Sequence, residues 1–112
     1  MSKRFLSLHR HLPGLQARES LDVVLVAGVF DQQVSLLFRE EGVRQLAESE
    51  ISVDMAEAVR SLSDYGIDAV YVCADALVGA ELTPDRLLIP VKVLTPAEQS
   101  ELLRDQDMVL CD

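Results

Sequence analysis

The chain has 112 residues, 49% of them hydrophobic and 26% charged, and a net charge of −9. That mix is ordinary for a globular domain, and the length suits a single one spanning 1–112 with a real core. Residues 1–18 carry Lys3, Arg4, Arg10 and Arg18 and no acid, leaving 6 basic against 19 acidic side chains beyond them. Such a surface repels phosphate backbones and disfavours direct nucleic-acid binding, although the basic start of the chain suits an acidic partner equally as it suits solvent.

No apolar run approaches the roughly 20 residues that span a bilayer. The N-terminal apolar stretch is too short for a signal peptide and is interrupted by Arg10, so a cytoplasmic location is expected. Cys73 and Cys111 make no disulfide framework, and no Cys/His spacing suits zinc. No metal or cofactor is expected. His9 and His11 share one face if a strand runs through both, a pattern more typical of surface or satisfied histidines than of ligands.

In chain order, residues 3–9 read as a first strand, broken by Leu12-Pro13-Gly14. Leu21 through Phe30 is almost continuously apolar. β-Branched content favours a strand and the length from Ala17 favours a buried helix; periodicity cannot choose between them. Asp31-Gln32-Gln33 is then either a hairpin turn or a helix-to-strand loop.

Val34-Ser35-Leu36-Leu37-Phe38 is a strong central strand, followed by a turn at 39–42, a short helical turn at 43–47 and a polar linker at 48–53. Asp54 is the expected N-cap of a helix over 55–65, with Glu57 completing a capping-box-like pair and Gly66 as the C-cap glycine.

Val70-Tyr71-Val72 reads as a buried strand ending at Cys73, with Ala74-Asp75-Ala76-Leu77 opening a short helix. Residues 87–94 form a strand that Pro90 confines to a sheet edge or a bulge. Thr95-Pro96 opens a helix to about Arg104, and residues 107–111 make a short last strand. Strands alternating with helices imply an α/β fold: three layers, α/β/α, around a mostly parallel sheet of about five strands.

Chemistry concentrates on one residue. No GxGxxG, GxxxxGK[ST] or GxSxG pattern occurs, so nucleotide binding and hydrolase-type catalysis lack support. Cys73 stands where a strand meets a helix, and strand carboxyl ends are where α/β sheets gather ligands. A thiolate there could act as a nucleophile, but Asp75 opposes ionisation of a neighbouring thiol and no Lys or Arg lies close in sequence. Free cysteine is otherwise most often a small buried hydrophobe.

Several stretches resemble the TusC/DsrF proteins of the DsrE-like group. Arg18-Glu19-Ser20-Leu21-Asp22 is similar to that family's R-E-x-L-[DE] helix start, and Glu41-Gly42-Val43-Arg44-Gln45-Leu46 to its D-G-V-x-Q-L element. Pro13-Gly14 resembles its P-x-G turn, Tyr71-Val72-Cys73-Ala74-Asp75-Ala76-Leu77 its W-V-C-A-x-S-L stretch, and Asp107-Met108-Val109-Leu110 its closing strand. Ser20 departs from the family's glycine, Cys111 from an arginine, and the loop from Cys73 to Pro84 is shorter than usual.

The resemblance implies a DsrE-like, Rossmann/flavodoxin-like fold in which residues 17–30 are a buried helix. It implies a subunit of a TusB–TusC–TusD sulfur relay that passes persulfide toward TusE for 2-thiouridine formation at the tRNA wobble position. In that family the accepting cysteine belongs to the TusD/DsrE subunit, so Cys73 is implied to mark a supporting position. An active sulfurtransferase using Cys73, or a DsrF-like subunit in sulfur oxidation, is the alternative. TusB-like and TusD-like subunits are the expected partners, with a TusE-like acceptor.

Overall fold

The computed structural model describes residues 3–30 and 33–111. Its strands are β1 (Arg4–His9), β2 (Gln33–Phe38), β3 (Ala69–Cys73), β4 (Lys92–Leu94) and β5 (Met108–Cys111). Its α-helices are α1 (Leu15–Val29), α2 (Val53–Arg60), α3 (Ala74–Gly79) and α4 (Pro96–Arg104). All the strands run parallel in one sheet, in the order β4-β3-β2-β1-β5.

That order sets the layers. The chain steps from β1 to β4 in one direction, and right-handed crossovers keep α1, α2 and α3 on one face. It then returns past three strands to β5, so α4 alone covers the other face. The first face buries Val34, Leu36, Phe38, Val70 and Val72 against Leu21, Val24, Val43, Leu46, Val59, Leu62 and Leu77. The second holds a smaller cluster, Leu6, Leu8 and Leu37, with Tyr71, Leu102 and Leu103 packed on it. The expected three-layer fold is therefore present, with one layer thin.

The apolar segment after Arg18 is a helix, since a parallel β1–β2 pair requires a crossover rather than a hairpin. Asp31 and Gln32, read as part of the turn there, lie outside the described residues. The helix is not buried all round. Ala17, Leu21 and Val24 face the sheet, whereas Val23 is 53% exposed, Val26 57% and Phe30 70%.

The turn at 39–42 and the helical turn after it merge into one 3₁₀ run, Glu40–Leu46. Gly42 is obligatory in it. A Cβ there would stand 2.1 Å from the His9 carbonyl oxygen, against backbone that cannot move aside. Val43 and Leu46 are fully buried, and Gln45 Nε2 donates to the His11 carbonyl at 2.8 Å. The Gly-Val-x-Gln-Leu element thus clasps the loop leaving β1.

Three further expectations change. Ser52, not Asp54, caps α2: its Oγ accepts from the Met55 N–H at 3.1 Å, and Asp54 in the first turn pairs instead with Arg18. Helix α2 stops at Arg60 and continues as a 3₁₀ turn, Leu62–Tyr65, closed by Gly66 at φ 79° as a left-handed cap. The strand over 87–94 shrinks to Lys92–Leu94, because Pro90 has no N–H to give a ladder. Leu87 instead forms an isolated antiparallel bridge with Ala47. β4 is an edge strand, as the proline implied.

At α4 the Thr95–Pro96 start is realised as a full capping box. The Thr95 N–H and hydroxyl hold the Glu98 carboxyl below its ordinary range. A depressed carboxylate stabilises above its unfolded pKa, and that contribution disappears as pH falls through the folded value. Gln99 Nε2 donates to the Leu94 carbonyl at 3.1 Å, fastening the helix to the end of β4.

Gly42→Ala is expected to destabilise the chain by about 2–3 kcal/mol, because it overpacks against backbone. A urea midpoint giving a change under about 0.5 kcal/mol would contradict the close approach at His9. Ser52→Ala is expected to cost about 1 kcal/mol. A loss under about 0.3 kcal/mol from Ser52→Ala would contradict its capping role.

Candidate functional site at the carboxyl edge of the sheet

Because the strands are parallel, β1, β2, β3 and β4 deliver His9, Phe38, Cys73 and Leu94 to one edge. Which face each side chain takes follows from the pleat. His9, Phe38, Val72 and Val93 are register partners across four strands and share the face covered by α1, α2 and α3. Cys73 is one residue further on, in register with Leu94, and points to the other face.

His9 is a core residue. It is fully buried, its ring is stacked on Phe38 at 4.9 Å between centroids, and its Nε2 lies 2.9 Å from Ser7 Oγ. The pairing of His9 with His11 on one strand face does not occur, because β1 ends at His9 and His11 is exposed in the loop beyond. Neither histidine joins Cys73. The buried imidazole lies two strands away on the opposite face, about 10 Å off by strand spacing.

Cys73 is a half-buried free thiol at the junction of β3 and α3. Its side chain makes no capping hydrogen bond, and α3 is only six residues long, with Asp75 in its first turn. Cys111 is also free and is exposed on β5. The two belong to strands three positions apart, about 14 Å at the usual spacing, against the 4.4–6.8 Å between Cα atoms that a disulfide spans. They do not bridge within one chain.

Two arginines, Arg18 and Arg44, are committed to carboxylates. Arg18 Nε reaches Asp54 at 2.9 Å and its guanidinium also pairs with Asp22, tying α1 to α2 and raising its already high pKa. Arg44 pairs with Glu41 at 2.6 Å and Glu50 at 2.9 Å. The basic N-terminal run is thus broken up, with Arg18 serving the chain's own acids. A groove of about 370 Å³ lies over this bridge, lined by Pro13, Gly14, Leu15, Arg18, Ser52 and Asp54 among others. It flanks α1 and α2, on the side of the sheet away from the thiol.

Among the described residues no group of three or more His, Cys, Asp or Glu side chains is placed to hold a metal ion. Among them, too, no helix is long and apolar enough to cross a membrane. Sequence reasoning missed the outward stripe of α1, since an unbroken apolar run carries no periodic signal. It also missed the roles of Gly42 and Gln45, which depend on a loop about thirty residues earlier.

A family model described as the DsrE/DsrF-like family matches residues 3–111. The chain is 34% identical to the Protein TusC homolog of Pseudomonas aeruginosa, covering 98% of each. It is 32% identical to the intracellular sulfur oxidation protein DsrF of Allochromatium vinosum, over 96% of this chain and 94% of that one. The crystal structure of the ychN protein from E. coli superposes with a TM-score of 0.84 over the whole of both chains at 16% identity, which speaks for the fold. This chain belongs to the DsrE/DsrF-like family.

Proposed function

We propose that this chain is a TusC-like cytoplasmic subunit of a TusB–TusC–TusD-type complex. It supports persulfide transfer toward a TusE-like acceptor, and thence 2-thiouridine formation in tRNA, without itself carrying sulfur. The observation that carries the reading is the placement of Cys73, which strand register sets on the face opposite the chain's buried imidazole. Persulfide relay needs a thiolate that can attack a donor persulfide, accept its terminal sulfur and release it to the next thiolate. A base or cation beside the sulfur would favour that ionisation. Here the buried imidazole is on the other face of the sheet and the adjoining helix opens on Asp75.

The likeness to the TusC homolog supports this assignment, and so does a thiol half-buried at a strand end in the manner of a packing residue. The likeness to DsrF keeps a sulfur-oxidation complex as the second reading. The Val72-Cys73-Ala74 context, which resembles TusC, favours the first.

The test loads the reconstituted complex with labelled sulfane sulfur from a cysteine desulfurase and maps the label by peptide mass spectrometry. The label is expected on a cysteine of another subunit, with Cys73→Ser changing the rate of transfer to the acceptor less than about twofold, or about 0.4 kcal/mol in barrier. Label on Cys73, abolished together with transfer by Cys73→Ser, would overturn the supporting role.

A further inference from the structure

We draw no further inference here: the strongest candidate, the exposed apolar face that β5 shares with the outer side of α1 around Val23, Val26 and Phe30, carries nothing, because nothing in the structure shows what covers it.

Discussion

The structure depends on how closely the run Glu40–Leu46 is held against the end of β1. Gly42 abuts the His9 carbonyl where no Cβ fits, and Arg39 N–H donates to the same oxygen at 2.9 Å. Gln45 anchors the loop two residues later. Around this point Val43 and Leu46 close the main core, and the ring of His9 lies flat on Phe38. If the contact opened, the loop leaving β1 would lose its anchor and the main core its closure by Val43 and Leu46. The most family-like stretch of the sequence is therefore architectural, and its Gly42 and Gln45 fasten the loop that leaves β1.

The uneven layering follows from topology and has a chemical consequence. Three helices crowd one face while α4, nine residues long, covers the other. Period-two alternation along β3 then puts Val72 into the deep core and turns Cys73 toward the thinly covered side. The imidazole that could assist a thiol has been sent the opposite way by the same alternation along β1. A thiol at a strand's carboxyl end is correctly placed for chemistry by the general rule for α/β sheets, yet no imidazole stands on its side of the sheet among the described residues of the strands.

Much of this was legible in the residues. The strands through Val34–Phe38 and Val70–Val72 carried a clear apolar and aromatic signal, Thr95-Pro96 announced α4, and Gly66 marked a left-handed cap. Leu21–Phe30 was illegible because an unbroken apolar run fits both a helix and a strand, and only the crossover demanded by a parallel pair decides it. Even then the sequence could not reveal that Val23, Val26 and Phe30 would look outward. Ser52 and Asp54 are both good caps by composition; the choice fell to Ser52 because Arg18, distant in sequence, draws Asp54 into an ion pair. The location of Cys73 was readable, but its separation from His9 was not, since that depends on the parity of two strands in register.

The proposed sulfur relay therefore assigns this chain a role of shape and contact, and its reactive-looking residue a role in packing. The most direct test is the 2-thiouridine content of tRNA in cells whose only copy of the gene encodes Cys73→Ala, compared with the unaltered gene and with its deletion. The account predicts that Cys73→Ala matches the unaltered gene while deletion abolishes the modification. Thiouridine falling to the deletion level with Cys73→Ala, in a complex that still assembles, would contradict it.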